Sequence, residues 1–297
     1  MTTTKKKPYK KRKKKKKQGS GFLKTMGRGL LWAIGGFALF ALAFTFYDCK
    51  HLIKNTDFSV YEEEIGQPEP APAAQLAVER KEQVIRHEGF TVSYNSDYKI
   101  ANWVAWELTR EKARANQVER TNRFERDPKV RGGSASYEDY RGSGYDRGHL
   151  APAGDMKWSR RAMEESFYLS NICPQDRRMN AGIWNDLEMK CRNWAAKHGA
   201  IHIITGPVIT DNMNRIGRNR VAVPDYFYKV IYNPADGKHE GIGFIMENRE
   251  YTNRSLGSLA TTIDDVEAIT GIDFFHALPD SVQQTMESKV NLKAWGL

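Results

Sequence analysis

The feature that most constrains this chain is an uncharged apolar segment of 19 residues, GLLWAIGGFALFALAFTFY (Gly29–Tyr47). At about 1.5 Å of helical rise per residue, it can cross roughly 30 Å of hydrocarbon as a transmembrane helix. A strongly basic run precedes the segment, and Asp48 follows it directly. Because positive flanking charge stays on the cytoplasmic side, residues 1–28 are predicted to be cytoplasmic and the rest of the chain, after about Asp48, to lie outside the cytoplasm.

Two other interpretations of the segment stay open. A cleaved signal peptide is the stronger rival, because ALA at residues 41–43 offers a cleavage site, although the charged leader is long for such a peptide. The rest of the chain would then be secreted. A buried core helix is disfavoured by the unbroken apolar run.

The charge of the chain is unevenly divided. Of its 46 Lys and Arg residues, 13 lie in residues 1–28, which contain no acid, so 33 basic residues face 36 Asp and Glu residues in the remainder. The net charge of +10 therefore belongs to the tail and does not indicate a nucleic-acid-binding body. We predict that the tail is disordered and that Lys5–Lys17 contact anionic lipid headgroups.

After the apolar segment, composition and periodicity divide the chain into a linker and one domain. Residues 48–78 are acidic and then rich in Pro and Ala, which is typical of a linker. Residues 79–297 are predicted to form an α+β domain. Predicted strands cover 90–96, 201–209, 222–233 and 241–248, and predicted helices cover 101–114, 181–198 (capped by Gly199) and 258–273 (ending at Gly271).

The three cysteines make a poor disulfide framework for an exported chain. Cys173 and Cys191 could pair, but two buried free thiols are favoured.

The stretch SGYDRGHLAPAGDM (143–156) carries a candidate site. In a strand, Tyr145, Arg147 and His149 would share one face and Asp146 the other. An Arg can hold a phosphate oxygen, and a neutral His can take a proton from water near pH 7. The alternative is a surface ion pair between Asp146 and Arg147 beside a half-buried, structural His149.

A second stretch, residues 168–199, supplies metal-ligand chemistry. Asn180 is predicted at the start of a helix, where the helix dipole would favour a phosphate, and Glu188 follows eight residues later. A straight helix would separate them by about 12 Å and roughly 80° of rotation. Direct ligands of one hard cation lie within about 5 Å of each other, so only one of the two can bind an ion directly.

The chain contains, in this order, the blocks NWVAWELT, ERTNRFERDP, YRGSGYDRGHLAPAGDM, FYLSNICPQ, MNAGIWNDLE, TGPVI and VAVPDYFYKV. With these blocks it resembles the DNA/RNA non-specific endonucleases of the ββα-metal (His–Me finger) class, the family of mitochondrial endonuclease G and secreted bacterial sugar-non-specific nucleases. The resemblance implies a ββα-metal finger core set on a mainly antiparallel sheet flanked by helices.

The resemblance also implies a role for individual residues. His149 would be the general base, Asn180 the protein ligand of one Mg²⁺ (with Mn²⁺ as a substitute), and Glu188 the carboxylate that holds water bound to the metal. Arg147 and Arg120 would face the phosphate, with Arg123 and Arg126 as neighbouring alternatives to Arg120. Asn171 and Asp146 would support the site, and Asp155 lies where substrate preference stays open.

Together with the apolar segment, the resemblance implies a membrane-anchored, metal-dependent endonuclease that cleaves DNA and RNA with little sequence specificity and leaves 5′-phosphate ends. The alternative is a catalytically idle surface protein that captures DNA, and a further rival is a metal phosphodiesterase acting on another substrate, such as lipid. Relatives are often dimers, so a homodimer is also considered. The other six histidines are predicted to be structural or on the surface.

Overall fold

The computed structural model describes residues 80–297 together with the backbone of Glu69–Pro70. The predicted tail 1–28, the transmembrane helix 29–47 and nearly all of the linker 48–78 lie outside these residues. Across the described part of the chain, no helix is both long and apolar enough to cross a bilayer.

A seven-stranded antiparallel sheet forms the centre of the body. Its strands, numbered along the chain, are β2 (Gln83–Arg86), β3 (Thr91–Asn95), β4 (Ile100–Thr109), β7 (Ala200–Pro207), β10 (Tyr226–Asn233), β11 (Glu240–Glu247) and β12 (Ala260–Thr261). They lie in the order β12-β11-β10-β7-β4-β3-β2. Three two-stranded antiparallel sheets pair β1 (Glu69–Pro70) with β13 (Ile272–Asp273), β5 (Asp146–His149) with β6 (Ile172–Gln175), and β8 (Asn214–Ile216) with β9 (Val221–Val223).

Short helices surround the sheet. They are α1 (Arg110–Arg114), α2 (Arg160–Ser166), α3 (Arg177–Met179), α4 (Asn185–His198), α5 (Ile263–Thr270), α6 (Asp280–Glu287) and α7 (Leu292–Trp295). A π-helical turn, Asn180–Trp184, joins α3 to α4. Turns of 3₁₀ helix occur at Tyr137–Tyr140, Ala153–Met156, Leu169–Asn171, Ala235–Gly237 and Leu256–Ser258. The α+β class with an antiparallel sheet is confirmed.

Hydrophobic cores lie on both faces of the sheet. On one face, Leu187 and Trp194 of α4 pack in the same cluster as Trp106 and Phe227 of the sheet. On the other face, α5 and α6 pack against residues such as Tyr228. The sheet therefore separates two layers, and β5 and β6 belong to the α4 side, where Ile172 joins the first cluster.

The predicted helix over 101–114 is wrong. Residues 100–109 form β4, and only α1 is helical. Because β4 lies inside a sheet that is covered on both faces, its residues are apolar on both sides, and the resulting run matched helical spacing by chance.

The other predicted elements are observed, two of them with shorter bounds. The predicted strand 222–233 is divided between β9 and β10, and the predicted helix 258–273 contains only α5, with β12 before it and β13 after it. The strand predictions are confirmed in β3, β7, β10 and β11. Gly199 ends α4, and Gly271 ends α5 with φ of 62°. A reciprocal capping box between Thr262 and Asp265 begins α5. Helix α5 thus has a stop and a start signal that were both visible in the sequence.

Candidate active site

Strand β5, with the sequence DRGH, pairs with β6 in antiparallel register. Gly148 lies opposite Cys173, and a Cβ atom at Gly148 would overlap with the side chain of Gln175. The close approach of β6 therefore requires a glycine between Arg147 and His149.

His149 is buried, with 6% of its surface exposed. Its ring centroid lies 4.8 Å from that of Phe167, edge to face, and 5.6 Å from that of Phe124. Within the described residues, the buried Nε2 atom has no hydrogen-bond partner. Burial, reinforced by the positive charge of Arg120, lowers the pKa of His149 to about 3. The imidazole is therefore neutral near pH 7 and can accept a proton.

The guanidinium of Arg147 lies between two aromatic rings. Its Cζ atom is 4.4 Å from the ring centroid of Tyr137 and 4.8 Å from that of Phe124. Because Phe124 also contacts the His149 ring, Arg147 and His149 lie on the same side of β5. This packing orients the cation through its flat face and leaves its N–H edge for an anion.

Of the three neighbouring arginines, the structure brings Arg120 to His149. The Arg120 Cζ atom is 4.9 Å from the ring centroid of Phe167, and its Nε donates to Asn122 Oδ1 at 2.7 Å. Its charge acts on both His149 and Glu188. Arg123 instead forms an exposed ion pair with Glu125, and Arg126 is exposed.

The opposite side of β5 contacts Asn180. The Asn180 Nδ2 atom donates to Asp146 Oδ2 at 3.2 Å, and Arg177 Nε donates to Asp146 Oδ1 at 3.1 Å. Because a carboxylate can only accept from the amide nitrogen, the amide of Asn180 is held with its carbonyl oxygen directed away from Asp146. This oxygen is a hard ligand for a cation.

The sequence predicted that Asn180 begins a straight helix, but in the structure it does not. The helical segment begins at α3, where the Asp176 carboxylate accepts from the backbone N–H groups of Arg178 and Met179. Those N–H groups are thus satisfied by Asp176, and the predicted contribution of a helix N-terminus at Asn180 is wrong. Gly182 departs from helical geometry (φ −103°, ψ −113°), so the separation of Asn180 and Glu188 expected for a straight helix does not apply.

Glu188 lies in the first turns of α4 and is half-buried. Burial raises the pKa of its carboxyl to about 7, and the nearby negative charge of Asp155 acts in the same direction. The positive charges of Lys229, Arg192 and Arg120 oppose this rise. Glu188 therefore changes its protonation state close to neutral pH.

A buried charged group lies behind Glu188, and sequence reasoning missed it. Lys229 is fully buried in β10, with its Nζ atom 4.5 Å from the ring centroid of Trp184 and 5.1 Å from that of Trp106. Among the described residues, Nζ has no hydrogen-bond partner. Burial lowers the pKa of Lys229. The sequence feature that could have revealed this group is a lysine within the otherwise mostly apolar strand YFYKVIYN.

Asp155 belongs to the same buried group. Its carboxylate accepts from Arg192 Nη1 at 2.9 Å and from Trp106 Nε1 at 3.2 Å. Since only 1% of Asp155 is exposed, it packs behind the site and does not face a substrate.

Asn171 braces the turn that follows His149. Its side chain accepts from Ala151 N and donates to Ala151 O and Ser166 O, each at 2.9 Å. With its oxygen and nitrogen both engaged, the buried amide supports the turn.

Neither the cysteines nor the other histidines were predicted as site residues. Cys173 and Cys191 are free and buried, which confirms the favoured alternative for these two residues. Buried His87 contacts Asp127 and Glu165, whereas His239 contacts the Tyr232 hydroxyl. His51 lies outside the described residues.

The residues around β5 fit a hard divalent cation. The ligand that the structure orients is the amide oxygen of Asn180, whose nitrogen is held by the Asp146 carboxylate. Glu188 lies, like His149, within the influence of the Arg120 charge. Amide and carboxylate oxygens are hard ligands. Asn180 would hold the ion directly, with Glu188 acting through water.

Comparison with known proteins agrees with this arrangement. The sequence model of the family described as DNA/RNA non-specific endonuclease matches residues 67–281. The chain is 37% identical over 202 residues to the mitochondrial nuclease EXOG of Danio rerio (63% of this chain, 59% of that protein). It is 34% identical over 209 residues to nuclease C1 of Cunninghamella echinulata var. echinulata (65% and 83%), and 33% identical over 205 residues to human mitochondrial endonuclease G (65% and 69%).

A crystal structure of an EndoG/EndoGI complex superposes on the chain with a TM-score of 0.66 and 29% identity, covering 71% of this chain and 92% of that chain. The chain spans between 58% and 59% of the length of its EXOG relatives from fish, mouse and frog. The family match covers most of the described body, including β5 and α4. The chain therefore belongs to the DNA/RNA non-specific endonuclease family.

Proposed function

We propose that the chain is a metal-dependent nuclease that hydrolyses phosphodiester bonds of DNA and RNA with little sequence specificity and leaves 5′-phosphate ends. The observation that carries the proposal is the convergence of a buried, neutral imidazole, His149, with the guanidinium groups of Arg147 and Arg120. A capture protein needs cations for phosphate but has no use for a buried base. The nuclease names of the relatives support the same substrate class.

In this mechanism, Arg147 and Arg120 hold the non-bridging oxygens of the phosphate and stabilise the charge that develops on them. His149 takes a proton from a water molecule as that water attacks phosphorus and the P–O3′ bond breaks. Glu188 orients a second water, which protonates the departing 3′ oxygen. A Mg²⁺ ion held by Asn180 would supply Lewis-acid stabilisation of the same charge.

Little sequence specificity follows from the kind of contact the site makes. The side chains that converge at His149 are suited to phosphate and water, and phosphate contacts carry no base information. We therefore expect single- and double-stranded substrates of varied sequence to compete for the same site.

The test is cleavage of supercoiled plasmid and of RNA by the full chain in detergent, with Mg²⁺ and then with EDTA. We expect wild type to degrade both, and His149→Ala and chelation each to abolish cleavage. Arg123→Gln, which alters an exposed arginine paired with Glu125, is the control and should retain most activity. A protein that binds plasmid but never nicks it in any divalent metal would support surface capture, and cleavage of lipid phosphodiesters in preference to nucleic acid would support the other rival.

We also propose that residues 29–47 anchor the protein, with the N-terminus in the cytoplasm, Lys5–Lys17 at anionic headgroups and the body outside. Support comes from the charge asymmetry of the sequence. Protease added to intact cells should degrade the body and leave an N-terminal epitope protected. Release of the body into the medium would instead support a cleaved signal peptide. Light scattering of the purified chain would reveal a homodimer.

A further inference from the structure

The face of the sheet opposite the candidate active site carries a group of carboxylates. Asp264 and Glu267 of α5 and Glu287, the last residue of α6, form this acidic cluster. One carboxylate oxygen from each lies within 4.8 Å of the others. The cluster therefore joins two helices that are separate in sequence.

The deepest member of the cluster has an unsatisfied oxygen. Glu287 has 6% of its surface exposed, and its Oε1 atom is buried without a hydrogen-bond partner among the described residues. Glu267 is half-buried and accepts from the backbone N–H of Phe274 at 2.7 Å, while Asp264 is exposed. A buried carboxylate oxygen without a donor is costly, so the cluster lacks a partner that a cation would supply.

Among the residues that the structure describes, the charges that act on the cluster are all negative. Asp273 acts on Glu267 and Glu287, and Asp265 acts on Asp264. Burial and this repulsion raise the pKa of Glu267 to about 7 and that of Glu287 to about 8. No ion pair connects the three carboxylates to a basic side chain within residues 80–297.

The other buried carboxylates among the described residues each have a hydrogen-bond or cationic partner, and Asp139, for example, accepts from the backbone N–H groups of Ser136 and Asn219. Asp155 pairs with Arg192, and Glu165 pairs with Arg161 and contacts His87. Glu287 differs from both, although it is similarly buried. A buried carboxylate without a partner from the protein is expected at a site that binds a cation from solution.

We propose that Asp264, Glu267 and Glu287 bind a hard divalent cation, and that Ca²⁺ is the ion that fits them. Oxygen ligands at 2.3–2.6 Å from a Ca²⁺ ion lie no more than about 5 Å apart, a condition that the cluster meets. Ca²⁺ also accepts irregular geometry with water in the remaining positions, and the exposed Asp264 gives the ion access from solvent. The ion would stabilise the packing of α5 against α6 and would not take part in cleavage.

The test is thermal unfolding of the full chain in detergent with EDTA and with saturating Ca²⁺. We expect Ca²⁺ at about 100 times its dissociation constant to raise the Tm by roughly 5–10 °C. Asn180→Ala separates this effect from the candidate active site, and its Tm should rise as much as that of wild type. Asp211→Asn, an exposed acid outside the cluster, should also keep the full response.

Glu287→Gln and Asp264→Asn should each lose the Tm response to Ca²⁺ while retaining nuclease activity in Mg²⁺. Asp264 is exposed, so its substitution leaves the fold intact even if Glu287→Gln does not fold. Calorimetric titration should show one fewer Ca²⁺ bound by Asp264→Asn than by wild type. A wild-type Tm that does not respond to Ca²⁺, or a response that is lost in Asn180→Ala and kept in Asp264→Asn, would overturn the proposal.

Discussion

The side-chain amide of Asn180 donates a hydrogen bond to the carboxylate of Asp146, with 3.2 Å between Nδ2 and Oδ2. This contact joins the DRGH strand to the turn that precedes α4. It also fixes which end of the amide points away from the strand, because only the nitrogen can donate. Asp146 would therefore influence a cation at Asn180 through the orientation of the amide.

Asp146→Ala should weaken the binding of Mg²⁺ at Asn180 by removing this orientation. We expect the half-saturating Mg²⁺ concentration to rise about 10–100-fold, which is typical when the partner of a metal ligand is lost. The measurement is a Mg²⁺ titration of plasmid nicking. Arg177→Gln removes the other side-chain partner of Asp146 but leaves Asn180 held, so it should have a much smaller effect. Equal Mg²⁺ curves for wild type and Asp146→Ala would contradict the assigned role.

The site could be predicted from sequence where its residues are neighbours along the chain. The alternation of Arg147 and His149 and the proximity of Asn180 to the start of α4 follow from local patterns. The kink at Gly182 and the approach of Gln175 to Gly148 do not, because they depend on how β5, β6 and α4 pack. The resemblance to a family supplied the roles that local pattern left open.

Arg120 and Arg123 provide a matched pair of arginines. Arg120 lies over Phe167 and acts on His149, whereas Arg123 is paired with Glu125 in solvent. Arg120→Gln should lower kcat/KM by about 10²–10³-fold, because a charge that stabilises the transition state is lost. Arg123→Gln should change it by less than about 3-fold. Initial rates on a short duplex at fixed ionic strength would measure both, and the reverse order would assign the phosphate contact to Arg123.

Lys229 lies between Trp106 and Trp184 and opposes the rise in the pKa of Glu188. Lys229→Met removes the charge and keeps the volume, so the pKa of Glu188 should rise further. Because the ionised form of Glu188 is then present only at higher pH, the acid limb of the kcat/KM profile should move to higher pH, and activity at neutral pH should fall about 10-fold.

Stability provides the control for Lys229→Met. Replacing a buried charge by an apolar side chain of similar volume is often neutral or stabilising, so the Tm should stay the same or rise. Loss of activity with an unshifted pH profile would instead mean that Lys229 has no influence on Glu188.

The burial of Lys229 could not be predicted from the sequence, for a physical reason. A lysine normally lies in solvent, and here it is buried only because β10 is central in a sheet covered on both faces. Coverage of the sheet on both faces is also the reason why the sequence of β4 was wrongly predicted to be helical. His87 is comparable, since its carboxylate partners are remote in sequence and meet it only in the folded chain.

His87 forms a buried group with Asp127 and Glu165. The His87 Nε2 atom lies 2.9 Å from Asp127 Oδ2, and Nδ1 lies 3.6 Å from Glu165 Oε1. Burial opposes the charged imidazole, but the hydrogen bond to Asp127 and the negative charges of Asp127 and Glu165 outweigh it and raise the pKa of His87 above the usual 6.5. Burial opposes the charged form of Glu165 as well, yet His87, the Glu88 amide and Arg161 lower its pKa to about 2.

These shifts give stability a defined pH dependence. A raised His pKa contributes stability below about pH 6.5 that is lost as pH rises through the folded pKa, and a lowered Glu pKa contributes stability above about pH 4.5 that is lost as pH falls towards 2. The free energy of unfolding from this group should therefore be greatest between about pH 4.5 and 6.5. His87→Gln should lower it there by roughly 3 kcal/mol, since the buried Asp127 loses its cation and Glu165 keeps only Arg161. Urea unfolding of the full chain at about pH 5.5, 7 and 8.5 would measure the change, and the decline above pH 6.5 should be smaller in His87→Gln than in wild type.

His239→Gln, which removes a histidine hydrogen-bonded to Tyr232, should leave the decline unchanged. A decline of the same size in His87→Gln and wild type would mean that His87 is not the titrating group.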